Sequence, residues 1–191
     1  MILAIDPGFS NFGYAIIDPT LEVVKIGLLK TEKSKTKGTR VSSDDAYRIQ
    51  KLSYELAEVI DNNHIKVAVG EAPIGGGQSA ISLKHMSYAT SIANSVFSLM
   101  HIPIEWTTPQ EVKKTALGKA NATKEEMMVS VCKKHNWEIT KKITNKKKNT
   151  EVNVYHPLKE KWPAKDFEHV ADAIWSFHTL KHSNLVRMII G

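Results

Sequence analysis

The chain is poor in the features that would staple or anchor it. Cys132 is its one cysteine, so no internal disulfide can form, and no CxxC or paired Cys/His spacing suggests a structural zinc site. A reducing compartment, the cytoplasm, is the expectation. Long hydrophobic runs are missing as well. The apolar stretch near Ser95 to Ile104 is broken by Ser, His and Pro, well short of the roughly 18 to 20 residues that a bilayer span needs, so no membrane is expected as a partner. Met1 to Gly8 has only a brief apolar run before Asp6 and Pro7, with no basic flank, and does not read as a secretory signal. Gly and Pro are ordinary at 10 and 7. With 24% charged residues, four Trp and five each of Tyr and Phe, the composition is not that of a disordered chain. At 191 residues and 42% hydrophobic side chains, one globular domain spanning 1–191 is expected, and two large ones are excluded.

Positive charge is present in excess, and it is clustered. The chain has 26 Lys and Arg against 20 Asp and Glu. Between Lys133 and Lys165 stand ten lysines against three glutamates, a local excess of +7. The remainder is near neutral. Such a strip is the footprint of a polyanion binder, because each neutralised phosphate releases condensed counterion. A solvated surface loop would look the same.

Ile2 to Asp6, Gly13 to Ile17 and Glu22 to Leu29 read as a three-stranded meander turned at Pro7-Gly8 and Asp18-Pro19. From Ser42 the period changes. Ala46, Ile49, Leu52, Leu56, Val59 and Ile60 share one helical face, with Ser42 or Ser43 as candidate N-cap. Val67 to Val69 then forms a strand ending at Glu71, and Ala80 to Met100 a second helix. Ile102 to Trp106 is a further short strand. Thr108 and Pro109 fit N-cap and N1 of a helix through Thr115, and Lys124 to His135 and Asp166 to about Leu180 are helical. Residues 133–165 are poorly periodic apart from a candidate strand Glu151 to Tyr155. Strands alternating with helices give an α/β fold, a mixed sheet with helices on both faces and its ligand site at the carboxyl ends of strands.

Two of those strands end in carboxylates, Asp6 and Glu71, and the last helix carries His169 and Asp172 at i, i+3 on one face. Taken singly, Asp6 could stabilise a turn, Glu71 could cap a loop, and His169 and Asp172 could be exposed. Acidic groups delivered together by three segments repel one another, and hard divalent ions such as magnesium or manganese relieve that repulsion.

The run Ile2-Leu3-Ala4-Ile5-Asp6-Pro7-Gly8 followed by Gly13-Tyr14-Ala15-Ile16 resembles the opening of RuvC-type Holliday junction resolvases of the ribonuclease H-like superfamily. Val69-Gly70-Glu71 is similar to that family's second acidic strand. Thr108 to Lys114, leading into Gly118 and Ala122-Thr123-Lys124, is similar to its basic helix and turn, and His169-Val170-Ala171-Asp172-Ala173 to its closing motif. The resemblance implies a ribonuclease H-like five-stranded mixed sheet and a homodimer that hydrolyses phosphodiesters in four-way junctions and other branched DNA by paired cuts. It implies two Mg2+ or Mn2+ ions held by Asp6, Glu71, His169 and Asp172. Lys113 and Lys124 match basic positions where an ammonium offsets phosphate charge. Lys141, Lys142, Lys146, Lys147 and Lys148 then become candidate accessory DNA contacts, with Tyr155 or Trp162 either stacking on bases or, as is commoner for such aromatics, belonging to the core. Ile74 stands where many relatives carry an aromatic residue. Ala80 to Met100, with Ala89, Ser91 and Ala93, matches the dimerisation region, unless it packs internally. If the source is viral, the compartment is the host cytoplasm.

Other readings are a ribonuclease H-like or flap and fork nuclease, a junction-binding protein without turnover, and an actin-like ATPase. The ATPases share only the first block, and this chain is short for their two-lobed form and lacks a second phosphate-loop signal. No nucleotide cofactor is therefore expected.

Overall fold

The computed structural model describes residues 1–72, 79–145 and 150–190. Five strands, β1 (Ile2–Asp6), β2 (Asn11–Ile17), β3 (Val23–Lys30), β4 (Val67–Glu71) and β5 (Ile104–Thr107), form one sheet in the order β3-β2-β1-β4-β5. β2 is antiparallel to both β1 and β3, and β4 is parallel to both β1 and β5. β1, β3, β4 and β5 therefore all point their carboxyl ends the same way. The expected mixed sheet is present.

Strand alternation divides the core in two. Leu3, Ile5, Tyr14, Ile16 and Ala68 face one side, packed under α1 (Val41–Asn62) and α2 (Ala80–Leu99). Ile2, Ala4, Ala15, Ile17, Val67 and Val69 face the other, where α3 (Pro109–Leu117), α4 (Lys124–His135) and α5 (Ala164–Leu180) lie. Helices cover both faces, and a short α6 (Asn184–Ile190), absent from the sequence reading, closes the described chain. None of the described helices is long and apolar enough to cross a membrane.

Several boundaries moved. α1 starts at Val41 with Arg40 at its N-cap and no side-chain cap, so Ser42 and Ser43 lie inside its first turn and do not cap it. Residues 138–145 and 150–163 hold more regular structure than their composition indicates. β6 (Glu138–Asn145), β7 (Thr150–His156) and β8 (Trp162–Pro163) form a second, three-stranded sheet. Its lysines hid the pattern, because a small sheet with one wet face needs few apolar residues. Only the β7 part, Glu151 to Tyr155, had a readable strand signature. The ends of the Lys133–Lys165 stretch belong to α4 and α5.

Candidate active site

Asp6 and Glu71 close β1 and β4, and alternation turns both towards the face that α5 covers. Opposite Asp6 in the β1–β2 register stands Gly13. A Cβ built on Gly13 would meet the His169 carbonyl carbon and oxygen at 2.5 Å, so only glycine lets α5 descend onto the sheet there. That approach allows His169 Nδ1 to donate to Asp6 Oδ2 at 2.8 Å. Asp172, one turn further along α5, joins the same face. Lys30 at the end of β3 pairs with Asp166 at 2.8 Å and ties the start of α5 to the sheet edge.

Glu71, His169 and Asp172 each feel the charge of Asp6. Glu71 is pushed up to about 8, by burial first and then by the charges of Asp172 and Asp6, with Lys113 working against the rise. Asp172 is also raised, by burial and then Asp6, while His169 and Lys124 oppose it. Burial lowers His169, but the Asp6 hydrogen bond and the charges of Asp6, Glu168 and Asp172 outweigh it and raise its pKa. Carboxylates held this close favour protons or cations over ionisation alone. Among the described residues no three His, Cys, Asp or Glu side chains are grouped closely enough, as they lie, to enclose a metal ion. The donor chemistry fits one nonetheless. Three acidic side chains and an imidazole at a sheet end, with Glu71 and Asp172 raised by burial and then by neighbouring negative charge, suit a hard oxygen-preferring divalent cation.

Capped helices deliver the lysines. Thr108 and Glu111 form a capping box under Pro109 at the start of α3, and Thr123 and Glu126 form one at the start of α4. Lys113 is half-buried near Glu71. Lys124 is not free: its Nζ pairs with Glu168 Oε1 at 2.9 Å, and that bond raises its pKa. Glu168, whose Oε1 is also 3.7 Å from His169 Nε2, was missed in the sequence. Its i, i+4 spacing to Asp172 was the available signal.

The outer DNA candidates divide. Lys141 and Lys142 are exposed on β6, Lys141 pairing with Glu151 at 3.0 Å. Lys146, Lys147 and Lys148, like Ile74, lie outside the described residues. Tyr155 is 1% exposed and stacks on Phe167 with ring centroids 4.9 Å apart, so it is core and no stacking platform. Trp162 is half-buried and packs against the same core. A groove of about 540 Å³ runs from Lys124 past Met128 and Tyr155 to Lys141 and links site to hairpin.

A family model described as crossover junction endodeoxyribonuclease RuvC matches residues 2–153. Among curated proteins of that description, the one from Cytophaga hutchinsonii is 25% identical over 136 residues, 70% of this chain but 64% of its own, so this chain spans just under two thirds of that relative. The one from Campylobacter curvus is 31% identical over 69% of this chain and 80% of its own. Among solved structures, RuvC of T. thermophilus in complex with Holliday junction substrate superposes with a TM-score of 0.62 at 17% identity, covering 98% of this chain and 94% of that one. The yeast mitochondrial Holliday junction resolvase gives 0.52 at 14% identity, covering 98% and 83%. The family match ends before α5. His169 and Asp172 join the site through the fold.

Proposed function

Since the chain belongs to the crossover junction endodeoxyribonuclease RuvC family, we propose that it is a metal-dependent, structure-selective endonuclease that resolves four-way DNA junctions by paired strand cleavage. The observation that carries this reading is the convergence of Asp6, Glu71 and Asp172 at one sheet end, where burial and mutual repulsion hold two of them above the usual carboxylate range. A binder of DNA gains nothing from anions aimed at phosphate. A hydrolase that recruits divalent cations does.

Asp6, Glu71 and Asp172 would hold the cations, Mg2+ or Mn2+ and two per site, with His169 completing the shell through a neutral ring nitrogen. Bound there, such ions supply an activated water on one side of the phosphate and charge stabilisation of the leaving oxygen on the other. The chain's own groups do the rest. His169 fixes the Asp6 carboxylate through its Nδ1 hydrogen bond. Lys113 offsets negative charge beside Glu71. Lys124, exchanging Glu168 for a phosphate oxygen, holds the DNA strand at the mouth of the site. Lys141 lines the groove one step further out, and Lys142 follows it on the opposite face of β6.

Paired cuts need two sites, and we assign dimerisation to α2. Ala89 and Ala93 are fully buried against the sheet, so these small residues serve internal packing. The exposed Ile81, Leu83 and Leu99 are the groups left for a partner.

The test is cleavage of an end-labelled immobile four-way junction beside a Y-fork, a duplex and an RNA–DNA hybrid, with magnesium or manganese and Asp6→Asn as control. Symmetric paired nicks in the junction, absent in the variant, are expected. Equal or better cutting of forks makes the enzyme a general debranching nuclease. Junction binding without cutting under either metal removes the catalytic reading.

A further inference from the structure

A second set of cations, Lys33, Lys35, Lys37 and Arg40, sits in the loop between β3 and α1, outside the lysine-rich segment. β3 runs in the direction of β1, so this loop leaves the sheet at the end where Asp6 and Glu71 lie. Its root is tied to the turn that follows Asp6. Thr31 N donates to Ser10 O at 3.1 Å and Thr31 Oγ1 to Phe9 O at 2.5 Å. Arg48, 1% exposed, donates from Nε to Thr31 Oγ1 at 3.0 Å and from Nη2 to Ser10 Oγ at 2.8 Å. Its guanidinium also lies 4.2 Å from the Phe9 ring centre.

The loop is internally closed. Ser34 N donates to Asp44 Oδ1 at 2.8 Å. Thr39 reaches Thr36 O from its N at 3.3 Å and from Oγ1 at 2.9 Å, with Gly38 at φ +87 taking the sharp bend. Cations on a loop of fixed shape lose little freedom when they meet a ligand.

The four cations stand against one acid of the loop, Glu32, which leaves it a net charge of +3. Lys30, Lys84, Lys124 and Lys141 each have a carboxylate partner. Among the described residues, Lys33, Lys35, Lys37 and Arg40 are exposed with no carboxylate within 4.0 Å. Arg48 beneath them bonds only hydroxyls, so its charge adds to the field at the loop's root. The hairpin β6–β7 packs on the α4–α5 side, whereas this loop is held by α1, which packs with α2 on the other side. The carboxylates lie at the sheet end between them.

We infer that the loop 31–40 is a second DNA-backbone contact, taking phosphates of a duplex arm other than the one that follows the hairpin. This rests on the junction-resolving reading above. The test is binding of a four-way junction and of a linear duplex of equal total length, by fluorescence anisotropy across 50 to 300 mM salt. The Asp6→Asn background keeps the strands uncut. K33Q/K35Q/K37Q is compared with its parent and with K25Q/K66Q/K181Q, which removes the same charge at the opposite end of the sheet. Junction affinity at 150 mM salt is expected to fall about tenfold or more, and the slope of log affinity on log salt to become shallower by about 2 to 3. The duplex should lose less, since one arm can use the hairpin alone, and the control should change neither quantity beyond about twofold. K35Q by itself should lower the slope by about 1. All substituted lysines in the loop are exposed, and matching thermal midpoints verify the fold.

If the parent binds the junction and the triple variant matches it, or matches the control, the loop assignment falls and the resolvase reading stands. Equal losses on junction and duplex overturn the second-arm assignment. A parent that does not bind the junction overturns both readings.

Discussion

The two ends of α5 bury titratable groups in opposite ways. In its first half, His169 and Asp172 meet Asp6 and Glu71, and Glu71 and Asp172 are raised by burial first and then by the negative charges beside them. Near its last turn, His178 meets His135 with their Nε2 atoms 3.0 Å apart, one donating and one accepting. Trp137 stacks on His135 at 4.7 Å, and Trp175 and Phe177 flank His178 at 5.2 Å. Burial first, and then the neighbouring His135, Lys134 and Lys181, push His178 down to about 3. The histidine pair resolves its burial by staying neutral. The carboxylates cannot all do so, and what remains is an attraction for cations. Perturbation alone does not mark a functional site. An imbalance of one sign does.

The largest effect should follow from removing charge at one end and not at the other. Asp6→Asn is expected to lower junction cleavage by at least about 100-fold, beyond what loss of an outer partner costs a metal site, whereas His178→Phe should stay within about twofold of the parent. Initial rates under saturating metal check both. Comparable losses in the two variants would make α5 a helix whose packing alone matters.

Gly13 tests the approach of α5 directly. Gly13→Ala places a methyl group against the His169 backbone, and the helix must lift. A displacement near 1 Å in a catalytic constellation costs on the order of 100-fold, so a 10- to 100-fold loss is expected. Overpacking should also lower stability by about 1 to 3 kcal/mol, seen as a lower thermal midpoint. The His135–His178 end should keep its near-ultraviolet dichroism, because those rings are far along the helix.

Much of this arrangement is legible in the sequence. Strand ends, the i, i+3 pair and the capping residue Thr108 are local signals, and each stands where the pattern placed it. Gly13 could be quoted as part of a motif, but its purpose is a contact with a helix more than 150 residues away, which no local pattern encodes. Glu168 is masked by its neighbours, since the i, i+3 pair of His169 and Asp172 stands out on this helix and the i, i+4 relation of Glu168 to Asp172 does not. Tyr155 reads from the sequence either as a platform for bases or as core, and β7 decides for core by turning it inward onto Phe167. The cations of residues 31–40 are plain in the sequence, but only the direction of β3 brings them to the site.

Protons and cations compete for the acidic end. Glu71 titrates near 8, and Asp172 and His169 are raised, so cleavage at low metal is expected to increase about tenfold or more between pH 6 and 8. Raising the magnesium or manganese concentration should move that rise to lower pH, because cation binding expels the protons. A midpoint that ignores metal concentration would separate the pH dependence from the carboxylates. His169→Ala should flatten part of the rise if the neutral imidazole binds metal.

Stability should show the same contrast at smaller amplitude, with opposite signs at the two ends. Glu71 binds its proton more tightly folded than unfolded, so in metal-free protein its contribution is present below about pH 4.5 and lost as pH rises through 8. Glu71→Gln is expected to raise the metal-free thermal midpoint at pH 8.5 by a few degrees, roughly the effect of 1 kcal/mol in a chain of this size, and to leave it nearly unchanged at pH 5. His178 binds its proton more weakly folded, so its contribution is present above about 6.5 and lost as pH falls towards 3. His178→Phe should therefore reduce the fall of unfolding free energy between pH 6.5 and 4 by nearly one proton's worth, with little change at pH 8.5. Denaturant melts at these pH values measure both. If the two variants shift the same limb of the curve, the ends of α5 titrate as one group and the distinction between a neutral pair and a charged site is lost.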